Sequence, residues 1–209
     1  GLNKKSLLGK KCYGGLDMAK GIDLNAFVLY FPEDKAFLPF FWIPNEKMHN
    51  NRDGVDYIRW MNQGYITEME GSIMDYNKIG SDIIQIIKDY DFRSLAYDMA
   101  YGHHGLIQLL IDNSINCLEL NQRVVVLNAP TRALETMITG EQLEHFNNPI
   151  MRWMISNVII FPDSNTNIKP DKGRSKNKID GVSALVNAIA LCMSEDSKQE
   201  HPPIMERWK

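Results

Sequence analysis

Residues 12–43 read CYGGLDMAKGIDLNAFVLYFPEDKAFLPFFWI, and this stretch decides the fold. Residues 25–31 are dense in β-formers and stop at Pro32, and residues 36–43 follow a tight Glu33-Asp34-Lys35 turn and stop at Pro44. Ahead of them, residues 12–18 predict a first strand that runs into a turn at Lys20-Gly21. Connections this short make successive strands antiparallel neighbours, so the segment is a three-strand meander.

Downstream the period changes. Residues 54–62 predict a short helix and 64–71 a strand or hairpin arm. Between 75 and 89, Tyr76, Ile79, Ile83 and Ile87 recur at three- or four-residue steps, the spacing of a helix face. A strand over 92–97 ends at Asp98, a helix follows over 102–112, and 116–127 reads as one or two strands before a helix over 130–139. Pro149 opens a helix over 148–156. Residues 157–161 and 168–170 look like two hairpin arms, and 178–193 forms the last strong helix, with Ile179, Val182, Val186 and Ile189 on one face. Residues 1–11 read as a linker or arm, 12–194 as one domain, and 195–209, polar with paired prolines, as a loose tail. The whole is an α/β pattern: a mixed sheet, antiparallel meander plus parallel strands, flanked by helices. That order is the layout of an RNase H-like domain.

Bulk composition narrows the function less than the fold. A chain of 209 residues, 44% hydrophobic and 23% charged, has room for one well-cored domain. The net charge of -3 is uninformative, because an acidic cluster and a basic patch cancel in the sum, and their distribution matters more. No apolar run approaches the roughly 20 residues of a membrane span, and no signal-peptide core is present, which points to the cytoplasm. Cys12, Cys117 and Cys192 are far apart and lack zinc spacing, so they read as idle thiols in a reducing compartment. No GxxxxGK[ST] phosphate loop occurs: Gly9-Lys10 lacks the earlier glycine, and Lys11 stands where Ser or Thr belongs. ATP hydrolysis by this chain is therefore not expected.

Three acids sit where such a fold gathers side chains. Asp17 ends the first strand, Asp98 ends the 92–97 strand, and Asp180 lies in the first turn of the last helix. Singly, each also fits a plain structural role: a turn former, a helix cap, an anion at a helix N-terminus. Together they suit two hard divalent cations, Mg2+ or Mn2+, which prefer oxygen ligands and can polarise a scissile phosphate. On a helical wheel Asp180 shares a face with Ser183, Ala184 and Asn187, small enough to let the helix sit close to the sheet. Lys169, Lys172, Arg174, Lys176 and Lys178 crowd a ten-residue stretch feeding into Asp180, with Asp171 as its one acid. They read either as a solvated charge run or as a flexible, phosphate-binding loop with salt-sensitive, sequence-tolerant affinity. Asp23 is an auxiliary ligand or a turn residue, and the turn is the simpler reading. His103 and His104 could assist a water or phosphate, although a helix-start polar pair is the simpler reading.

Gly15-Leu16-Asp17 with Asp23-Leu24-Asn25-Ala26, Tyr97-Asp98, Asn148-Pro149, Arg152-Trp153, Lys169-Pro170-Asp171-Lys172 and Lys178-Ile179-Asp180-Gly181-Val182 together resemble the nuclease domain of HK97-like tailed-phage terminase large subunits. Met99-Ala100-Tyr101 departs from the proline or tryptophan that often follows the second acid in that group. The resemblance implies an endonuclease that cleaves concatemeric double-stranded DNA by two-metal hydrolysis with little sequence preference, Asp17, Asp98 and Asp180 being ligands. It also implies a packaging ATPase N-terminal to this domain in a parent chain, a small terminase subunit and a portal as partners, no membrane, and work in the host cytoplasm. Gly1 in place of Met fits a piece of something longer. Two other readings share these features: a different RNase H-like nuclease, of resolvase or transposase type, and a non-catalytic DNA-gripping or assembly domain.

Overall fold

A computed structural model describes residues 2–18, 23–49, 54–98, 104–160 and 162–200, the last three by backbone alone. The Lys20-Gly21 turn, His103 and residues 201–209 lie outside these. The meander forms as read: β1 (Lys11–Asp17), β2 (Asn25–Phe31) and β3 (Ala36–Pro44) pair antiparallel in sequence order. Two short helices, α1 (Asn45–His49) and α2 (Tyr57–Asn62), lead to β4 (Thr67–Met69), which joins β3 in parallel rather than as a hairpin arm. Helix α3 (Tyr76–Ile87) starts at Asp75, whose carboxylate accepts the amide N–H groups of Asn77 and Lys78. Strand β5 (Asp91–Tyr97) pairs parallel to β1, and after α4 (His104–Asp112) strand β6 (Cys117–Glu119) pairs parallel to β5. The sheet order is β4-β3-β2-β1-β5-β6.

Strand alternation divides the core into two layers. Leu16, Phe27, Leu29, Phe31, Leu38 and Trp42 face one way, against Ile79 and Ile83 of α3 and Leu106 and Leu110 of α4. Tyr13, Val28, Phe37, Phe41 and Ile43 face the other way, towards α5 (Val124–Thr139), α6 (Pro149–Asn157) and α7 (Asp180–Glu200). Trp42 is buried and its indole N–H donates to Asp82 at 3.0 Å, which makes it core.

Four expectations change. Within the stretch read as a linker or arm, the described residues 2–11 are anchored: a 3-10 turn at Lys4–Leu7 sinks Leu7 completely, and Gly9 N–H donates to the Asp89 carbonyl. Helix α5 begins at Val124, not 130, and carries Pro130 inside it. The hairpin of 157–170 reduces to one bridge, between Ile160 and Pro170. Helix α7 runs to Glu200, where Glu195 accepts a 2.7 Å hydrogen bond from Ser94, so the first part of the expected tail is helix.

The central helix α7 packs on β1, β2 and β5 at unusually close range. A Cβ added to Gly15 would stand 1.8 Å from the Ala184 carbonyl oxygen and 2.7 Å from the Ala188 nitrogen, both backbone atoms of α7. No rotamer change can relieve such a clash. Gly15→Ala should therefore lower the unfolding free energy by about 3 kcal/mol, read as a fall in the urea midpoint. Gly105→Ala, where an added Cβ meets nothing within 4 Å, should leave it unchanged or slightly raised; equal midpoints for the two variants would disprove the tight approach.

Candidate active site

The close contact at Gly15 sets the positions of two acids. Asp17 lies two residues further along β1, about 6.6 Å on and on the same face. Asp180 lies four residues before Ala184, about 6 Å back along α7 on the facing side. Strand and helix thus carry their carboxylates to the same end of the sheet. Asn187 fixes the helix further: its side-chain N–H donates to the Leu16 carbonyl at 3.2 Å, and its oxygen accepts from Gln122 at 3.3 Å. The parallel register pairs Leu16 with Tyr97, so Asp17 and Asp98 follow at neighbouring strand ends. Asp17 and Asp98 line one cavity of about 280 Å³.

Asp17 is 4% exposed and Asp180 7%, and Asp98 is half-buried. One cation bridges the first two. The Lys172 ammonium donates to Asp17 Oδ1 at 2.8 Å and to Asp180 Oδ1 at 3.1 Å, and stands 2.6 Å from Asp17 Oδ2. Asp17 Oδ2 is buried and gains no hydrogen bond of proper geometry. Among the described residues, no three His, Cys, Asp or Glu side chains are gathered closely enough to hold a metal ion as they stand.

The cavity also takes in Lys169 and Asp171, but Lys172 is the cation in contact with both Asp17 and Asp180. Burial raises the Asp17 carboxyl from 3.8 to about 7; the attraction of Lys172 lowers it, and the charges of Asp180 and Asp98 raise it again. Burial alone would lower the Lys172 ammonium, but Asp17 and Asp180 outweigh this and hold it above the ordinary lysine value. Both partners rise for different reasons: burial dominates at Asp17, and the two facing carboxylates dominate at Lys172.

The basic stretch is organised rather than loose. Asp171 caps its turn, accepting the Gly173 and Arg174 N–H groups at 2.9 and 3.2 Å, and the Ser175 hydroxyl donates to the Asp171 carbonyl at 2.6 Å. Backbone bonds from Asp171 to Ile159 and from Lys176 to Asn157 tie it to the residues that end α6. Of the five expected phosphate contacts, Lys172 turns inward to the acids, Lys178 pairs with Asp23, and Lys169 donates to the Gln122 carbonyl at 2.9 Å. Arg174 lies 3.6 Å from Asp171, and Lys176 is exposed. Asp23 accepts its own turn's Leu24 N–H at 2.9 Å besides pairing with Lys178. His104 is exposed at the start of α4, beside a second cavity of about 190 Å³ that Asp98 also lines. The inward role of Lys172 had no signal in the sequence. That of Asn187 did, since it shares the Asp180 face.

A mixed sheet of this order, with acids at adjacent strand ends and a long helix crossing them, defines an RNase H-like domain. Residues 2–196 match the family described as terminase large subunit, endonuclease domain, and the chain belongs to that family. It is 28% identical over 211 residues to protein YmfN of Escherichia coli (strain K12), covering 92% of this chain and 46% of YmfN. It is 26% identical over 196 residues to the terminase large subunit of Enterobacteria phage HK97, covering 91% and 39%. The chain thus spans less than half the length of these curated relatives. The crystal structure of the HK97 large terminase superposes with a TM-score of 0.80 at 24% identity, over 88% of this chain and 40% of that one. The large terminase nuclease from thermophilic phage G20c, solved with bound magnesium, superposes at 0.56 with 14% identity, over 86% and 80%.

The raised Asp17 carboxyl has a consequence for stability. Between 3.8 and about 7 the folded chain holds a proton that the unfolded chain has released, so stability falls as pH rises through that window. Asp17→Asn should then melt at a higher temperature than the parent at about pH 8, with the gap closing towards about pH 4. A variant less stable than the parent at every pH would contradict this.

Proposed function

We propose that this domain is a metal-dependent endonuclease that cuts concatemeric double-stranded DNA during phage packaging, with little sequence preference. The observation that carries the reading is the convergence of two buried carboxylates, from β1 and α7, on one cation beside a third acid. Asp17, Asp98 and Asp180 supply hard oxygen donors in a pocket short of positive charge, with one buried oxygen lacking a hydrogen bond. Such a set fits Mg2+ or Mn2+. Two divalent ions there would polarise the scissile phosphate and offset charge developing on the leaving oxygen. Asn187, bonded to the Leu16 backbone, keeps α7 seated so that Asp180 stays opposite Asp17. Arg174 and Lys176, on the same loop as Lys172, would hold the phosphate backbone without reading bases. In the parent protein the domain would act beside a packaging ATPase, a small terminase subunit and a portal, in the host cytoplasm. Among the described residues no helix is long and apolar enough to cross a membrane.

Nicking of supercoiled plasmid in Mn2+ tests the site. Asp17→Asn, Asp98→Asn and Asp180→Asn should each lower the rate by about a hundredfold or more while circular dichroism shows a folded chain. Undiminished cutting by folded Asp17→Asn and Asp180→Asn proteins would remove the site, and preference for four-way junctions or RNA–DNA hybrids over linear duplex would favour a resolvase-type enzyme instead. Arg174→Ala with Lys176→Ala should weaken duplex binding and reduce the slope of log affinity against log salt by about 1 to 2. An unchanged slope would take the loop out of the DNA contact.

A further inference from the structure

The position of Lys172 carries a consequence for how the site is loaded, and it rests on the nuclease reading above. Its ammonium touches both oxygens of Asp17 and one of Asp180, which is the bridging position a bound cation would need. Two cavities meet at this side chain. One, of about 280 Å³, contains Asp17 and Asp98; the other, of about 300 Å³, contains Asp180 with Ser175, Asn177 and Lys178. Lys172 lines both, so the acids are divided between two spaces by the lysine itself.

We infer that Lys172 is a built-in counter-ion that occupies a cation position between Asp17 and Asp180, and that a divalent ion loads only when this ammonium withdraws. A monovalent and a divalent cation on the same carboxylate oxygens repel each other, and the repulsion is poorly screened in a buried pocket. The lysine has a way out, since its side chain is 43% exposed although its tip is engaged. Withdrawal would join the two cavities into one trough holding Asp17, Asp98 and Asp180. The metal-free protein meanwhile keeps two buried acids partly neutralised, which limits the cost of holding them without metal. Metal binding becomes an ion exchange, with the lysine setting the concentration at which the site fills.

Two measurements test this. In the unaltered chain, an amine-reactive label followed by mass spectrometry should modify Lys172 slowly in EDTA and severalfold faster in saturating Mn2+, while exposed Lys176 reacts alike in both. By calorimetry, Lys172→Met and Lys172→Gln should bind Mn2+ about tenfold more tightly than the parent, the size of one charge-assisted contact no longer displaced. Lys172→Arg, which keeps the cation, should not. Unchanged labelling at saturating Mn2+, or equal or weaker Mn2+ affinity in Lys172→Met and Lys172→Gln, would overturn the inference and leave the nuclease reading standing. Failure of the parent and all variants to take up Mn2+ would overturn both. The labelling arm needs no substitution, so a variant that does not fold leaves it decisive.

Discussion

Everything at the candidate site depends on the backbone of α7 lying against the backbone of β1 at Gly15. A helix and a strand normally meet through side chains. Here the Ala184 carbonyl occupies the space a Cβ would take, and Ala184 and Ala188 keep the approach open. The apolar stripe of Val182, Val186 and Ile189 supplies the burial that holds the helix down. Once that contact is fixed, strand alternation and helical rise leave no freedom in where Asp17 and Asp180 point. The carboxylates converge because two carbon-poor surfaces touch, not because the acids attract anything themselves.

That convergence opposes stability. Two acids are buried and share the Lys172 ammonium, and a third acid stands beside them. Packing elsewhere must offset the cost, and it does so on both faces of the sheet, through α3 and α4 on one side and α5, α6 and α7 on the other. Groups held at such a cost are commonest where chemistry needs them. The three cysteines are the opposite case: burial alone raises Cys117 to about 11, and burial leads the rise of Cys12 and Cys192 to about 12. These thiols are packing groups, and no chemistry follows from them.

Much of this was legible in the sequence, and the misses share a physical cause. The meander was readable because its β-formers and its turns agree. Val124, Val125 and Val126 favour a strand and Pro130 favours a helix boundary, yet all four lie within α5. Packing of α5 on α7, with Leu127, Pro130 and Leu134 buried, overrides those local preferences. The stretch read as a linker or arm holds Leu7, wholly buried, among lysines that give no sign of a core position. The placement of Asp17, Asp98 and Asp180 could be read because each sits at the end of an element whose type was clear. Their counter-ion was not. Lys172 is 155 residues from Asp17, and its inward turn depends on how Asp171 and Ser175 shape the loop.

The same loop explains why net charge was a poor guide. A sum of -3 describes a weakly acidic surface, but the charges are sorted by depth. The pocket concentrates acids around one ammonium, while Arg174 and Lys176 sit outside on the same few residues of chain. Under the proposed function a small, hard cation would answer the inner charge and a polyanion the outer one. On that reading a phosphodiester with a divalent ion would satisfy both at once, the carboxylates holding the ion and Arg174 and Lys176 the phosphate. Few ligands other than a nucleic acid backbone present that pairing of charges over so short a span. The sorting of charge by depth, more than its total, is what supports the proposed reading of the site.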